Sequence, residues 1–216
     1  MIKKSQLQII LQKLSEPKFP KPSLEQYTIT GNLAAEILNI AYLNGDIKDK
    51  IVFDFGTGSG RLAIGAALLG ARLVVGIDID KNVIKVAKEN LKRHEFYTSK
   101  KLPVFFVICD IRNWFSKADT IVQNPPFGIK SRHADRIFIE AALRCGKRIY
   151  TLHRNGRKKN REFLKKFIES FDAKVERIIK YEFILPSIFK FHRKPKVKYF
   201  VDLYVVEKLN NEKCEF

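Results

Sequence analysis

The sequence predicts an α/β protein whose seven-stranded, mainly parallel sheet carries helices on both faces and ends in a C-terminal antiparallel pair of strands. Short runs rich in β-branched residues alternate with amphipathic helical patterns between residues 31 and 171, as in successive βαβ units. Two longer alternating runs, 174–183 and 197–208, then follow each other without an intervening helix. Such neighbours pair in antiparallel fashion.

The predicted elements follow in order along the chain. A short amphipathic helix near the start has Leu7, Ile10, Leu11 and Leu14 at helical spacing, and three prolines between residues 16 and 22 predict an extended connector. Helices are predicted at 31–43, 61–69, 81–93, 134–144 and 159–171, and strands at 51–55, 72–79, 104–110, 118–124, 148–154, 174–183 and 197–208. We interpret residues 1–22 as the N-terminal helix with its connector and 23–216 as a single domain.

The charge balance points to a polyanionic partner. Lys and Arg number 41 against 23 acidic residues, a formal net charge of +18. Residues 144–198 contain 18 basic and 5 acidic residues, which makes +13 of that excess local to the C-terminal third. A basic face for nucleic acid is the favoured interpretation. The alternative is a lysine-rich surface that serves solubility or thermal stability.

The cysteines and the apolar runs indicate a cytoplasmic protein. Cys109, Cys145 and Cys214 lie far apart and form no Cys-x-x-Cys pair, which fits a reducing compartment and offers no zinc-site spacing. The first residues lack the apolar core of a signal peptide, and glycines with Arg72 interrupt the longest apolar stretch. We therefore expect no membrane segment and no metal site.

A glycine-rich turn follows the first predicted strand, in FDFGTGSGRLAIG at 53–65. Gly56, Gly58 and Gly60 permit positive φ and close approach of a ligand to the backbone. Their Gly-x-Gly-x-Gly spacing differs from the dinucleotide fingerprint, and Asp54 stands just before them. A carboxylate there would repel a pyrophosphate but suits the ammonium group of an amino-acid ligand. This combination favours S-adenosylmethionine as the cofactor.

Acidic residues at the ends of the next two strands support the same cofactor. Asp78, 20 residues after Gly58, is placed to accept hydrogen bonds from ribose hydroxyls, and Asp110 from the exocyclic amine of adenine. Asp80 is interpreted as the cap of the following helix, and each of these aspartates has helix capping as its ordinary alternative. The cofactor-binding candidates in the sheet region are Asp54, Gly56, Thr57, Gly58, Ser59, Asp78, Ile79, Asp110, Ile111 and Asn124.

The fourth strand ends in the rigid stretch Asn124-Pro125-Pro126-Phe127, which is more than a turn needs. The Asn124 side-chain oxygen and the Pro125 carbonyl can accept both hydrogens of a planar NH2 group, which directs the nitrogen lone pair at a methyl donor. Phe127 offers a ring on which a base can stack. We interpret these four residues as a catalytic clamp. The alternative is a rigid helix entry, which a single proline could supply.

Two further segments belong near this clamp. Residues 185–196, between the last two strands, interleave basic residues with aromatic rings, a pattern that suits single-stranded RNA, although a plain basic hairpin loop is the alternative. The RNA-binding candidates are Lys190, Phe191, His192, Arg193 and Lys194 together with His153 and Arg154 at the predicted rim. Gln26 and Tyr27 are candidates to cover the cofactor, against the equally good alternative of an ordinary helix start capped by Thr30.

The run VFFVIC at 104–109 is apolar throughout and lies at the edge of the sheet in a methyltransferase strand order. A bare edge of this kind invites pairing with another chain. We expect a partner protein to cover it, unless Phe105 and Phe106 are shielded by the protein's own helices.

With these motifs in order, the chain resembles the methyltransferase-like protein 5 family of small-subunit ribosomal RNA adenine N6-methyltransferases, of archaeal type or related. The resemblance runs from Leu24 to Val206 and rests on LEQY at 24–27, the cofactor loop, NPPFG at 124–128 and FKFHRK at 189–194. NPPF and Gly-x-Gly occur in many amino-group methyltransferases, whereas LEQY together with KFH is much narrower.

The resemblance implies a class I, Rossmann-like S-adenosylmethionine-dependent methyltransferase fold and a small zinc-binding activator of the Trm112 type along the edge strand. It also implies cofactor contacts at Gln26, Gly56, Ser59, Asp78 and Asp110 and catalysis at residues 124–127. One position departs from the family. Thr28 and Ile29 stand where the family often has Pro-Thr, so a hydroxyl contact at Ile29 is not carried over and Thr28 or Thr30 is the substitute.

Three other functions compete with this interpretation. A protein glutamine methyltransferase of the release-factor type also presents an amide to an Asn-Pro-Pro clamp, but it usually has Tyr in place of Phe127 and an added N-terminal domain for which the residues before LEQY are too few. A DNA adenine methyltransferase would need a separate recognition domain. A non-catalytic RNA-binding subunit with a degenerate fold would have no chemical need for Asp54, Asp78 and Asn124.

Overall fold

The computed structural model of the chain describes residues 2–18, 29–126, 134–154, 158–186 and 196–209. The helices are α1 (Lys4–Gln12), α2 (Gly31–Leu43), α3 (Arg61–Leu68), α4 (Lys81–Thr98), α5 (Ala134–Cys145) and α6 (Lys158–Glu169), with a short 3-10 turn at Ile111–Asn113. The strands are β1 (Ile51–Phe55), β2 (Leu73–Asp78), β3 (Val104–Ile108), β4 (Ala118–Gln123), β5 (Gly146–Arg154), β6 (Ala173–Pro186) and β7 (Lys196–Lys208).

The strands form one sheet in the order β3-β2-β1-β4-β5-β7-β6. The first five strands are parallel, and β7 is antiparallel to both β5 and β6. The predicted α/β fold, with its C-terminal antiparallel pair, is confirmed. The strand order reverses between β1 and β4, and ligands of open α/β sheets bind at the carboxyl ends of the strands beside such a switch point.

Helix α4 is the element that departs most from prediction, since it continues to Thr98 rather than ending near Arg93. The residues after Arg93 contain neither Gly nor Pro, so nothing in the sequence breaks the helix there. It ends at Ser99, which adopts a left-handed conformation with φ of 52°.

Two apolar layers cover the faces of the sheet. One contains the helices that precede β3 in the chain, and its core includes Leu11, Leu38 and Ile64. The other contains α5 and α6, with Ile139 and Ile168 packed on the opposite face. Parallel sheets need such cover on both sides. No helix within the described ranges is long and apolar enough to cross a membrane.

Helix α1 is part of the first layer. Leu7 and Leu11 have no solvent-accessible surface and belong to the same core cluster as α2 and α3. A nine-residue helix is marginal in isolation. Its stability in this chain therefore comes from that packing.

The hairpin of β6 and β7 projects past the rest of the sheet. The last pair between β5 and β7 is Arg154 with Val201, whereas β6 and β7 remain paired as far as Pro186 with Lys196. Residues 196–200 thus extend beyond the carboxyl end of β5 by about 17 Å at the usual rise of an antiparallel strand. The last described pair of the hairpin, Pro186 with Lys196, therefore lies beyond the carboxyl end of β5, at the edge of the sheet that contains the switch point.

Candidate active site

Strand register brings three predicted site residues to one edge of the sheet. Phe55 of β1 pairs with Ile77 of β2 on one side and with Gln123 of β4 on the other. The next residues along these strands are Gly56, Asp78 and Asn124. The glycine loop, the ribose candidate and the first clamp residue are therefore neighbours at the switch point.

The loop between β1 and α3 requires glycine for two reasons. Gly56 and Gly60 have φ of 68° and 81°, a region that side chains rarely adopt. A Cβ on Gly56 would also lie 2.9 Å from the ring of Phe138, and one on Gly60 would lie 2.8 Å from the ring of Phe106. At Gly58, in contrast, the nearest atom to such a Cβ is the Gly56 carbonyl at 4.0 Å. The loop is therefore packed against aromatic rings at Gly56 and Gly60 and has free space at Gly58.

Asp54 fixes this loop from inside the core, where it is 1% exposed. Its Oδ2 accepts hydrogen bonds from Thr57 Oγ1 at 2.7 Å and from the Ala63 amide at 3.0 Å. Its Oδ1 accepts none from the described residues. Burial, and to a lesser extent the neighbouring charge of Asp78, raises the pKa of Asp54 to about 7. A bound cation would favour the ionised form.

The other polar groups at the loop could also accept hydrogen bonds from a ligand. Asp78 accepts hydrogen bonds from the Gly58 amide and the Asp80 amide, each at 3.0 Å, and burial raises its pKa. Ser59 is 3% exposed, and its Oγ makes no hydrogen bond with the described residues. The Asp80 side chain caps α4 through the Asn82 amide, as predicted. A ligand that carries an ammonium group and hydroxyls fits this set of buried acceptors.

Asp110 is already engaged by a neighbour. Both oxygens of its carboxylate contact the Arg112 guanidinium, at 2.5 to 3.0 Å, and this lowers the pKa of Asp110. A ligand amine at Asp110 has to share the carboxylate with Arg112. Of the two apolar candidates, Ile79 is 55% exposed beside Asp78, whereas the side chain of Ile111 is buried in the core.

The clamp begins one residue after β4, with Asn124 half-buried and Pro125 buried. The strand end beneath it is held by Gln123, whose Nε2 donates to Thr151 Oγ1 of β5 at 2.9 Å. Gln123 is 1% exposed, so this bond connects the interior of the two strands directly below the clamp. Within the described residues, no group of His, Cys, Asp and Glu side chains is arranged to hold a metal ion.

The prediction that His153 faces an RNA-binding rim is wrong for its side chain. β5 lies between β4 and β7 in the sheet, its residues 149–153 are buried, and His153 is 4% exposed. Its Nε2 lies 2.9 Å from Thr151 Oγ1, and its ring packs edge-on against Tyr204. Burial lowers the pKa of His153 to about 3, so it stays neutral and cannot pair with a phosphate. Arg154, the next residue, is exposed at the strand end.

Several predicted site residues lie outside the described residues: Gln26, Tyr27, Thr28, Phe127, Lys190, Phe191, His192, Arg193 and Lys194. The ends that flank the first of these segments are described. Thr30 caps α2 by accepting a hydrogen bond from the Leu33 amide at 3.2 Å, and Ile29 is buried. Thr30 therefore has the capping role that was the alternative interpretation of this helix start.

Sequence reasoning missed two buried polar residues beside the loop, Arg61 and Asn90, which are 6% and 2% exposed. The sequence does indicate that Arg61 is unusual, because it is the one charged residue in the otherwise apolar stretch that follows the glycines, 61–69. Asn90 had none, since an Asn on a helix rich in Lys and Glu gives no indication of burial.

Comparison with known proteins extends these observations. A family model described as ribosomal protein L11 methyltransferase matches residues 30–125. The rRNA N6-adenosine methyltransferase METTL5 of Danio rerio is 34% identical over 93% of this chain and 97% of its own length. An uncharacterized protein of Methanocaldococcus jannaschii is 39% identical over 98% of this chain and 97% of its own.

Among solved structures, a protein of Pyrococcus horikoshii that is provisionally named an RNA methyltransferase superposes with a TM-score of 0.87. It is 36% identical, and the match covers 97% of this chain and 100% of the other. The relatives that span nearly the whole chain thus include an rRNA enzyme, whereas the match to the L11 model covers residues 30–125 only and stops after Pro125.

Proposed function

Because this chain belongs to the METTL5 family of rRNA N6-adenosine methyltransferases, we propose that it methylates the N6 amine of an adenosine in small-subunit ribosomal RNA, with S-adenosylmethionine as the methyl donor. The observation that carries the proposal is the adjacency of Asn124 and Gly56 at the switch point, which follows from the pairing of Phe55 with Gln123. The clamp for an amine and the loop for a cofactor thereby share one site.

The clamp residues act by positioning the substrate amine. The Asn124 side-chain oxygen and the Pro125 carbonyl accept its two hydrogens, which leaves the nitrogen lone pair directed outward. Bound S-adenosylmethionine supplies a methyl group on a positively charged sulfur. Alignment of the nucleophilic nitrogen with the methyl donor is the main demand of such a displacement, and this explains why proline rigidity and a fixed strand end are used. A base within a duplex would have to be flipped out to reach the clamp.

The residues that would hold the cofactor are those whose acceptors face the loop. Asp54 Oδ1 and Ser59 Oγ are buried without hydrogen-bond partners among the described residues, so a ligand that donates to them relieves a desolvation cost of about 1–3 kcal/mol for each. We assign Asp78 to the ribose and Asp110 to the adenine amine as part of the same proposal. Gln26, Tyr27 and Thr28 complete the proposed contacts on the ground of family resemblance.

The RNA-binding surface is proposed for the face formed by Arg154, helix α6 and the β6–β7 hairpin. Arg154 is exposed at the carboxyl end of β5, and Lys159, Lys165 and Lys166 are exposed on α6. The hairpin projects on the same side of the sheet as the clamp, and the basic residues 190–194 belong to the segment that joins its strands. Phosphates would bind to these cations while a base enters the clamp.

A protein substrate is the weaker candidate. The L11 methyltransferase family shares only residues 30–125 with this chain, and these hold the cofactor loop and the start of the clamp but not the residues that would choose a substrate. The remaining part contains most of the charge excess of +18, which favours a polyanion over a neutral protein surface.

We also propose that a small zinc-binding protein of the Trm112 type docks along β3. This strand forms an end of the sheet and pairs only with β2 among the described strands. Phe105 and Ile108 are 63% and 56% exposed, whereas Phe106 points inward and is 8% exposed. A shallow groove between α4 and β3, lined by residues that include Leu91 and Val107, continues the apolar surface. An added strand would satisfy the edge and cover these side chains.

The deciding experiment is transfer of labelled methyl from S-adenosylmethionine to purified small-subunit rRNA, large-subunit rRNA and release factor, with and without a Trm112-type protein. Nucleoside digestion should reveal N6-methyladenosine in the small-subunit RNA alone. Label in the release factor, or in large-subunit RNA only, would overturn the substrate assignment. Absence of cofactor binding would overturn the methyltransferase assignment itself.

A further inference from the structure

Asn90 of α4 connects two segments that are far apart in sequence. Its Oδ1 accepts a hydrogen bond from the Ser15 amide, and its Nδ2 donates to the carbonyls of Ser15 and Ser59, all at 2.9 Å. The side chain is 2% exposed. A buried primary amide is costly unless it is paired, so these three bonds hold the residues after α1 against the cofactor loop.

Arg61 makes a second connection on the other side of Gly60. Its Nε donates to the Leu11 carbonyl at 3.0 Å, and its other nitrogens contact the Ile29 carbonyl and the Glu16 carboxylate. Burial lowers the pKa of Arg61 and the charge of Glu16 raises it. The ion pair thus compensates part of the cost of a guanidinium that is 6% exposed.

The end of α1 and the start of α2 also contact each other directly. The Gly31 amide donates to Gln12 Oε1 at 2.9 Å, and a Cβ on Gly31 would lie 2.4 Å from the Gln12 backbone nitrogen. The end of α1 and the start of α2 therefore meet without room for a side chain between them, and both are tied to the residues that flank Gly60.

We propose that docking of helix α1 and residues 13–16 supports cofactor binding, with Asn90 as a positioning residue that fixes the Ser59 carbonyl. This inference rests on the proposed function, because it takes the loop at 56–60 to be the binding site for S-adenosylmethionine. The loop can keep its ligand-binding shape only while the Asn90 side-chain amide is hydrogen-bonded to the Ser15 backbone. Docking of α1 and binding of the cofactor are then coupled, and the coupling is reciprocal.

The coupling has a local physical origin. α1 contributes two fully buried leucines but is too short to persist as a helix without its contacts. When the Asn90 side chain is removed, the carbonyls of Ser15 and Ser59 lose their donors. The loop gains freedom that the cofactor must then remove on binding, and α1 is no longer connected to the loop through this side chain. The expected result is weaker binding of S-adenosylmethionine without any change in a residue that touches it.

The test measures binding of S-adenosylmethionine by calorimetry and amide hydrogen exchange of residues 4–12, for the full-length protein and for Asn90→Ala. In the unsubstituted protein, S-adenosylmethionine should slow exchange of the α1 amides. In Asn90→Ala the Kd should rise by about tenfold, and the slowing should be lost. Asn90→Asp keeps the acceptor for the Ser15 amide but loses the donor to the Ser15 and Ser59 carbonyls. It should show the same defect and serves if the alanine variant fails to fold.

Asn44→Ala is the matched control. It removes an amide far from the loop, whose Nδ2 donates to the phenol oxygen Oη of Tyr150 at 2.6 Å, and it should change neither readout. If the unsubstituted protein binds S-adenosylmethionine and both Asn90 variants bind it equally well, with the same protection of α1, the inference is wrong. If the unsubstituted protein does not bind S-adenosylmethionine, it is the proposed function that fails.

Discussion

The ring of Phe138, on helix α5, occupies the space that a side chain on Gly56 would need, with its Cε1 2.9 Å from the ideal Cβ position. Helix α5 follows the clamp in the chain, whereas Gly56 begins the cofactor loop. Helix α5 is thus packed directly on the glycine loop that follows β1, so a change in either one alters the packing of the other.

Gly56→Ala should weaken cofactor binding by more than about tenfold, because the new methyl group both meets Phe138 and forces a left-handed residue, at a backbone cost of about 1–2 kcal/mol. Gly45→Ala is the control. Gly45 has φ of 80° but no atom within 4 Å of its ideal Cβ, so it should show the same backbone cost in thermal unfolding and an unchanged Kd. Equal Kd values for both variants would mean that Gly56 does not border the ligand.

Binding of S-adenosylmethionine should weaken as the pH falls below about 7. The cofactor-free protein has an Asp54 pKa of about 7, so acid protonates the carboxylate that is proposed to attract the ligand ammonium. Below this pKa the affinity should fall by up to about tenfold per pH unit. Asn in place of Asp54 should bind weakly and remove this dependence between pH 5 and 7. A wild-type affinity that stays flat over that range would separate Asp54 from the ligand.

The same raised pKa has a consequence for stability without cofactor. The folded protein holds a proton on Asp54 at pH values between 3.8 and about 7, where the unfolded chain has released it. The free energy of unfolding contributed by this group is therefore largest below pH 3.8 and declines as the pH rises to 7. Denaturant titrations of the wild type and Asp54→Asn at pH 5 and 7.5 measure the difference, which should shrink or vanish in the variant.

Asn124→Ala should leave cofactor binding within about twofold of wild type and lower the methyl-transfer rate by roughly a hundredfold or more, since it removes an acceptor that acts on the substrate amine. Calorimetry and single-turnover transfer to rRNA separate the two effects. A variant that loses cofactor binding instead would show that Asn124 belongs to the cofactor site rather than to the clamp.

Replacement of Lys190, Arg193 and Lys194 by Ala should weaken RNA binding and flatten its salt dependence by about 0.7 in log-log slope for each lost phosphate contact to a single strand. The control removes the same charge from the opposite edge of the sheet, with Lys48, Lys50 and Arg72 changed to Ala. Only the first variant should alter the slope. An effect of equal size in both would indicate that net charge, and not a defined face, binds the RNA.

Phe105→Glu should abolish binding of a Trm112-type partner while it leaves the unfolding temperature of the isolated chain within a few degrees, because the ring is already 63% exposed. Co-purification and analytical ultracentrifugation give the result. Phe115→Glu, at another exposed ring, is the control and should keep the partner. Complex formation by the Phe105 variant would place the interface elsewhere.

The sequence predicts the sheet well because local pattern and tertiary role agree in it. Val, Ile and Phe runs such as 51–55 are buried on both faces, and the predicted bounds of that strand match the structure. Prediction fails where burial depends on partners distant in sequence. His153 looks like a rim residue only because the covering strand β7 begins more than forty residues later, and its partner Tyr204 lies within that strand.

The site was predictable to the extent that its residues end strands. Asp78 and Asn124 could be placed because parallel strands deliver their last residues to a common edge. The supporting contacts could not. Nothing in the local sequence indicates that Asn90 forms hydrogen bonds with Ser15 and Ser59. The ion pair of Asp110 with Arg112 depends on side-chain rotamers, of which the sequence allows several.

The projecting hairpin gives the molecule a built-in distance. If the last described pair of the hairpin, Pro186 with Lys196, lies against a phosphate while Asn124 holds a base, the two points are separated along the sheet by at least the overhang of residues 196–200, about 17 Å. That length spans several nucleotides of RNA. The modified adenosine would then be selected by its distance from the RNA phosphate that the hairpin binds. Shortening the hairpin would shift the modified position.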